Sequence, residues 1–262
     1  MKTISFAYST RLTFDDNVIN HSFALRCIPI ESPPQRIVSY NLTVTPYTNL
    51  NYSTDTFGNN VASGYIARLH RYLDFDLHGV AVMDSTVPKT DLRPFYRFPS
   101  LMTKPNEKAE ELFSAVRDKL AFMNPREKTV YLAEYIHSFL RYDKSLTGIT
   151  TTAAEAIGLG GGVCQDFSHV LLMLLRMSGV HCRYIAGLSF CDGETHSWIE
   201  FWDGEQFVGY DPTNLCYATD EYIVLSQGRD YVDCAVDRGR MFGAYTRQVQ
   251  LVKSKLEILS YE

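Results

Sequence analysis

Long apolar runs are missing from this chain of 262 residues. The longest, Val170 to Leu175, is far shorter than the roughly 20 residues that a helix needs to span a bilayer, so no membrane partner is expected. The first residues also lack the apolar segment and the small-residue cleavage site of a signal peptide. These two absences predict a cytoplasmic protein.

Two further absences narrow the choice of metal and partner. No CxxC pair occurs, which argues against a structural zinc site. No basic patch stands out against a net charge of −5, so nucleic acid is not expected as a partner. Most of the six cysteines lie in apolar contexts and are expected to behave as small hydrophobes; they are Cys27, Cys164, Cys182, Cys191, Cys216 and Cys234.

The chain changes character near its first third. Residues 1 to about 85 contain short runs of β-branched and aromatic residues between Pro and Gly turns, which predicts an antiparallel β-sandwich. Helical spacing begins after Asn106, a residue suited to cap a helix. The sequence therefore predicts an N-terminal β-sandwich domain over residues 1–95 and an α+β domain over residues 96–262.

The second domain alternates helices with strands. Helices are predicted from Glu107, over Arg126 to Tyr142, over Thr152 to Ile157, and from Cys164 to near Ser178. Strands are predicted over residues 181–190, 195–202 and 205–210, and the tail over residues 248–259 is predicted to form a closing pair of strands. The dipeptide Asp203-Gly204 predicts a hairpin between the last two strands before the tail.

Cys164 opens a helix directly after the flexible segment Gly160 to Gly162. Unpaired N–H groups and the helix dipole at such a position stabilise a thiolate. The glycines allow a substrate backbone to approach, and the N–H of Cys164 is suited to hold an oxyanion. A buried and inert cysteine after a glycine turn is the alternative, because free cysteines are among the most buried residues.

A thiolate nucleophile needs a base, and the candidates are the seven histidines, three of which follow Cys164 in the sequence. His169 follows on the same helix and points away from the Cys164 face. His181 has no carboxylate in an obvious position to orient it. His196 begins a strand, and counting back from the Asp203-Gly204 turn pairs it with roughly residue 211, which is Asp211. The sequence thus predicts a Cys-His-Asp site in which Asp211 orients the imidazole, while Asp211 also heads an Asx-type turn.

Three segments together resemble the transglutaminase-like superfamily, in the family's order and at similar distances. They are Gly162 to Phe167, Thr195 to Glu200 and Gly209 to Thr213. The flanks extend the resemblance: Asp55 to Asn59 are similar to the β-rich N-terminal region of bacterial members, and Gly228 to Tyr231 with Gly239 to their C-terminal extension.

The resemblance implies a papain-like α+β core that works without a cofactor on a peptide or protein substrate. Cys164 would be the nucleophile, His196 the base and Asp211 its orienter, with chemistry through a thioester. The family also has an oxyanion and substrate group upstream of or near the nucleophile, for which Tyr142, Gly162, Gln165 and Trp198 are the candidates. The chain lacks the acidic calcium loops of the animal enzymes and the paired CxxC zinc motif of the peptide N-glycanase branch.

The resemblance leaves the reaction open. Hydrolysis of peptide or isopeptide amide bonds is the favoured expectation for a chain of the bacterial type. Transfer of a glutamine acyl group to an amine and a non-catalytic binding module on the same fold are the alternatives. The oligomeric state is also left open.

Overall fold

The structure is a computed structural model that describes residues 1–190, 194–243 and 247–261. In these ranges a seven-stranded antiparallel sheet lies beside a helical layer and a five-stranded antiparallel sheet, and a short parallel pair completes the strands. The strands are β1 (Lys2–Leu25), β2 (Gln35–Thr45), β3 (Asn51–Thr54), β4 (Asn60–Ile66), β5 (His70–Met83), β6 (Arg141–Tyr142), β7 (Gly161–Gly162), β8 (Cys182–Ser189), β9 (His196–Trp202), β10 (Phe207–Asp211), β11 (Cys216–Tyr217), β12 (Tyr222–Gly228), β13 (Asp237–Gly243) and β14 (Gln248–Tyr261). The α-helices are α1 (Glu107–Leu120), α2 (Pro125–His137), α3 (Ala153–Leu159), α4 (Cys164–Met177) and α5 (Tyr231–Cys234).

The seven-stranded sheet is organised around the long strand β1. Its first half pairs with β5 on one side and β14 on the other, and beyond a register shift between Thr13 and Val18 it pairs with β4 and β13. Alternate side chains of β1, among them Ile4, Phe6 and Leu12, are buried on one face. This is the period of two that a half-buried strand requires.

The two ends of the chain meet in this sheet. The prediction placed the tail in the second domain as a pair of strands, but residues 248–261 form the single strand β14, which pairs with β1 from Lys2 to Phe14. The strand β13 was not predicted, and it also joins β1. These pairings join residues as distant in sequence as Lys2 and Tyr261, and no local pattern carries such information. The boundary at residues 95 and 96 stays a prediction.

The helix α4 lies at the centre of the second half of the fold. Every residue of α4 from Gln165 to Arg176 is buried. Helices α1, α2 and α3 contact it, and strands β8 and β9 of the five-stranded sheet contact it as well. A helix that is buried all round needs neighbours on every side, and this packing holds the N-terminus of α4 in a fixed position.

The helices before α4 follow the predicted caps with one difference. The side chain of Asn106 accepts a hydrogen bond from the backbone N–H of Ala109, as the sequence predicts for α1. The second helix was predicted to reach Tyr142, but α2 ends at His137. Arg141 and Tyr142 instead form β6, which pairs in parallel with Gly161 and Gly162 of β7. Apolar spacing alone did not reveal this end, because the pairing partner lies beyond α3.

The two sheets share an apolar core. Leu188, Ile223 and Leu225 of the five-stranded sheet belong to the same buried cluster as the inner face of β1 and β5. An ion-pair network around the buried Arg183 and Glu200 adds a second connection: the guanidinium of Arg183 bonds Glu200 at 2.7 Å and Asp91 at 2.8 Å, and Lys89 also bonds Glu200. Lys89 and Asp91 lie in the segment that joins the halves, so this network fixes that segment on the five-stranded sheet.

Two further predictions concern membrane-spanning helices and the cysteines. In the described ranges no helix is long and apolar enough to cross a membrane. Cys27, Cys182 and Cys234 are buried as small hydrophobes, whereas Cys164 and Cys216 are half-buried. Cys191 lies outside the described residues.

Candidate active site

A cleft of about 660 Å³ lies between the start of α4 and the inner face of the seven-stranded sheet. We call it the Cys164 cleft. Its core wall comes from the second half of the fold and includes Tyr142, Cys164, Gln165, Tyr184, His196 and Ser197. Its sheet wall comes from β1, β13 and β14 and comprises Tyr8, Asp237, Gln250 and Val252.

Cys164 is the first residue of α4 and is half-buried in this cleft. The helix before it, α3, ends at Leu159 and is capped by Gly160, whose φ of 71° is the left-handed conformation that favours glycine. The backbone N–H groups of the first turn of a helix have no intrahelical acceptor, and the helix dipole adds positive potential there. The thiol therefore stands where both a thiolate and a developing oxyanion are stabilised.

Gly162 has a packing role. A Cβ at Gly162 would stand 2.3 Å from Oδ2 of Asp166, closer than atoms can approach. The same Oδ2 accepts hydrogen bonds from the backbone N–H of Val163 at 2.8 Å and from the hydroxyl of Thr147 at 2.6 Å. The carboxylate of Asp166 thus stabilises the turn that precedes Cys164. Gly162 was predicted as an oxyanion or substrate residue, but it does not line the Cys164 cleft.

His196 and Asp211 form a short charged contact beside the thiol. Nε2 of His196 lies 2.6 Å from Oδ2 of Asp211, and both side chains are buried. The interaction with Cys164 is among the causes that raise the pKa of His196, and both side chains line the cleft. Since Nε2 is engaged by Asp211, Nδ1 is the nitrogen that faces the thiol. The structure thus brings the three residues together in the order that the sequence predicts.

The register of the hairpin differs from the one predicted. A turn of two residues would pair His196 with Asp211, but Trp202 pairs with Phe207, so that the loop has four residues and Asp211 would align with Trp198. His196 therefore reaches Asp211 diagonally. The error was harmless because a shift of two residues keeps side chains on the same face of a sheet, whereas a shift of one would have separated them.

Asp211 is fully buried and accepts several hydrogen bonds besides that from His196. The backbone N–H groups of Thr213 and Asn214 donate to Oδ1, as in the predicted Asx turn, and Nδ2 of Asn214 donates to Oδ2 at 2.8 Å. The hydroxyl of Tyr222 donates to Oδ2 at 3.1 Å. Asp211 therefore both stabilises the turn and orients the imidazole of His196.

Tyr222 is a site residue that the sequence did not reveal. It begins β12, which pairs with β8 and not with the strand of Asp211. Its ring packs edge-on against Trp198, with centroids 5.1 Å apart, and lies 6.3 Å from the imidazole of His196. No motif signals such a residue, because its approach to Asp211 depends on the order of strands in the sheet.

The structure brings only some of the other predicted substrate residues to the cleft. Tyr142 and Gln165 line the Cys164 cleft, and Tyr142 is 51% exposed. Trp198 is only 1% exposed, packs in a core cluster with Ile30 and Ile185, and does not line the cleft. Trp198 shares a face of β9 with His196, yet core side chains enclose it, so the structure does not bring this predicted oxyanion or substrate residue to the cleft.

The two histidines that were set aside lie elsewhere. His169 is fully buried on α4, and its Nε2 accepts a hydrogen bond from the backbone N–H of Tyr231 at 3.1 Å. Burial lowers the pKa of His169 to about 4. Burial likewise lowers the pKa of His181, and neither histidine lines the Cys164 cleft.

The electrostatics of the pair favour the charged imidazole. Burial alone would lower the pKa of His196, but its interactions with Asp211 and Cys164 outweigh burial and raise the pKa to about 10. Burial opposes the charge of Asp211, yet its bonds to His196 and Asn214 hold the pKa of Asp211 below its usual value. An imidazolium at neutral pH is the partner that a thiolate nucleophile needs. Across the described ranges no cluster of three or more His, Cys, Asp or Glu side chains is placed to hold a metal ion.

The α+β fold, with its papain-like core, defines the fold class of this protein. Two family models match the chain: the transglutaminase-like superfamily model covers residues 114–212, and the model of the bacterial transglutaminase-like N-terminal region covers residues 4–82. The chain thus contains a transglutaminase-like core and a bacterial transglutaminase-like N-terminal region, as these two models describe them. The matched core contains Cys164, His196 and Asp211.

Relatives of known sequence and structure agree with this family. An uncharacterized protein of Mycobacterium leprae is 34% identical over 138 residues, which are 49% of this chain and 49% of that protein, so the match spans about half of each. An uncharacterized protein of Mycobacterium bovis is 28% identical over 251 residues, 82% of this chain and 79% of that one. The crystal structure of a candidate cysteine protease from Cytophaga hutchinsonii superposes with a TM-score of 0.80 at 19% identity, covering 100% of this chain and 93% of that one.

Proposed function

We propose that this protein is a cysteine hydrolase that cleaves peptide or isopeptide amide bonds through a thioester on Cys164. The observation that carries the proposal is the alignment of Cys164, His196 and Asp211 at the edge of an accessible cleft. An inert buried cysteine would need neither an imidazole on its thiol nor a buried carboxylate behind that imidazole. The solved relative described as a candidate cysteine protease supports the same chemistry.

The first half of the reaction forms the thioester. The sulfur of Cys164 attacks the carbonyl carbon of the amide, and the backbone N–H at the start of α4 stabilises the oxyanion. The C–N bond then breaks, and His196 gives its proton to the leaving amine. Asp211 holds the imidazole by Nε2, so that Nδ1 stays directed at the sulfur and the leaving group.

The second half releases the acyl group. A water molecule attacks the thioester carbon, His196 takes the proton of that water, and the Cys164 thiol is restored as the carboxylic acid leaves. Water is the favoured acceptor because the cleft is wide and because Tyr142 and Gln250 at its rim are exposed to solvent. An amine acceptor would give transfer by the same thioester.

The test compares two half-buried thiols of the same chain. Limited iodoacetamide treatment at neutral pH followed by mass spectrometry should modify Cys164 much faster than Cys216, because only Cys164 contacts an imidazole. A library of short peptides, assayed with and without an added primary amine, should then give cleavage that is lost in Cys164→Ala and kept in Cys216→Ala. Equal alkylation of the two thiols, or cleavage that survives Cys164→Ala, would contradict the proposal.

A further inference from the structure

The sheet wall of the Cys164 cleft is polar where an inner face should be apolar. Asp237 pairs with Leu25 of β1, and Gln250 pairs with Leu12. Directly paired residues of an antiparallel sheet point to the same face, and Leu25 and Leu12 are both buried in the core. Asp237 and Gln250 therefore lie on the core side of the sheet, at the place where that side borders the cleft.

Polar residues on this face form two hydrogen-bonded pairs. Nε2 of Gln250 donates a hydrogen bond to Oδ1 of Asp237 at 3.1 Å. Tyr8 also lines the cleft, and its hydroxyl accepts a hydrogen bond from Thr10 at 2.9 Å. The informative residue among these is the one that carries charge, because burying a charge without compensation is costly.

Asp237 is an acid without a cation. Its side chain forms no ion pair in the described ranges, and the few residues outside those ranges include no Lys, Arg or His. Arg238 follows it in sequence and lines the adjoining cavity, but Arg238 is exposed and forms no ion pair with Asp237. Burial raises the pKa of Asp237, and its bond from Gln250 only partly opposes this effect. A cation supplied from outside the chain would stabilise a carboxylate in such a position.

Asp237 also lies where the cleft continues. A second cavity of about 530 Å³ shares Tyr231, Asp237 and Gln250 with the Cys164 cleft and continues over the paired strands β1 and β13, where Arg238 and Arg240 also line it. A substrate extended from Cys164 along the sheet would pass this carboxylate. The other charged residues at the cleft rim, Lys144 and Glu194, are exposed and bonded to each other.

We propose that Asp237, held by Gln250, forms a subsite that binds a positively charged group of the substrate, an ammonium or guanidinium of the Lys or Arg type. The proposal rests on the proposed function for the identity of the cleft and adds the class of substrate. A carboxylate and a cation bind by charge-assisted hydrogen bonds, and a partly desolvated site strengthens such bonds. The cation belongs either to the acyl donor or to an amine that accepts the acyl group.

Binding is measured first, without turnover. The Cys164→Ala protein is titrated with a peptide library in which one position is Lys and with a matched library in which that position is norleucine. We expect the Lys peptides to bind tighter, and Asp237→Asn to weaken them by about tenfold or more while leaving the norleucine peptides unchanged. Glu257→Gln removes one negative charge from β14 outside the cleft and should change neither.

A second variant tests the subsite even if Asp237→Asn fails to fold. Gln250→Lys places a cation of the chain beside Asp237 at an exposed position. It should abolish the preference for Lys over norleucine while Asp237 remains in place. Equal binding of the two libraries by the Cys164→Ala protein, or a preference that survives both variants, would overturn the subsite.

Turnover then separates the two sources of the cation. If the acyl donor carries it, Asp237→Asn lowers kcat/KM for Lys peptides relative to norleucine peptides. If the acceptor carries it, the same change lowers the fraction of product transferred to cadaverine relative to the fraction hydrolysed. Preferential binding of Lys peptides without any turnover would refute the proposed hydrolase and keep the subsite. Turnover that depends on Cys164 but ignores Asp237 in both assays would do the reverse.

Discussion

The two walls of the Cys164 cleft come from different parts of the chain. The core wall carries the reactive groups within one stretch, residues 164–211, on α4 and on two neighbouring strands. The sheet wall takes Tyr8 from the first strand and Asp237 and Gln250 from the last two. The reactive side chains, which must meet at hydrogen-bond distance, come from one short stretch of the chain. The side chains that would contact the rest of a substrate come from both ends of the chain.

Substitutions in the two walls of the cleft should therefore affect the reaction in different ways. A change in the core wall should act on kcat, because it alters groups that contact the reacting atoms. A change in the sheet wall should act on substrate preference, because it alters a surface remote from the bond that breaks. The predictions below test this division, and a core-wall variant that changed only substrate preference would break it.

Asp211→Asn should have the largest effect. An amide at this position cannot stabilise the imidazolium of His196, and we expect kcat to fall by roughly a thousandfold or more with little change in KM. The measurement is steady-state cleavage of the best peptide from the library. Asp203→Asn is the control, because Asp203 lies in the turn of the same hairpin and pairs with Arg126 away from the cleft. A loss below about tenfold for Asp211→Asn would remove Asp211 from the reaction.

The pH dependence of stability should show the charge on His196. Because the folded pKa of His196 is raised to about 10 from an ordinary 6.5, its contribution to stability is complete below about pH 6.5 and is lost as the pH rises towards 10. Urea unfolding of the wild type and of His196→Gln at several pH values measures the difference. The two free energies of unfolding should converge as the pH rises. A difference that is constant with pH would mean that His196 is neutral in the fold.

Tyr222→Phe should have the smallest effect and sharpen the division. Its hydroxyl donates to Asp211 without contacting the thiol, and one such bond contributes about 1 kcal/mol. We expect kcat to fall by about tenfold or less at unchanged KM. The acid limb of the pH profile should move to higher pH, since Asp211 loses a donor that stabilises its charge.

Tyr210→Phe controls for the loss of a buried hydroxyl. Tyr210 precedes Asp211, is buried, and packs edge-on against Tyr217. It should leave the pH profile in place. A shift of the acid limb in Tyr210→Phe equal to that in Tyr222→Phe would mean that neither tyrosine acts through Asp211.

The candidate site was predictable from sequence to the extent that it is local. Cys164 at a helix start needs only a glycine segment and a helical period, and His196 beside Asp211 needs only a hairpin. The hairpin register was wrong by two residues, and the alternation of faces still placed both side chains together. Trp198 lies on the same face of β9 as His196 but is enclosed by Ile30 and Tyr222, which come from distant parts of the chain, and the sequence pattern of β9 carries no such information.

The sequence alone determined the local elements of this protein: the N-terminus of α4, the strands on either side of the hairpin, and the membership of Cys164, His196 and Asp211 in one site. Only the tertiary structure decided that the chain ends share a sheet, that Tyr222 reaches Asp211, and that Asp237 borders the thiol. The physical reason is the range of the contacts. Helix caps and turns act over a few residues, whereas the pairing of β1 with β13 and β14 joins opposite ends of the chain and depends on burial that the whole fold creates.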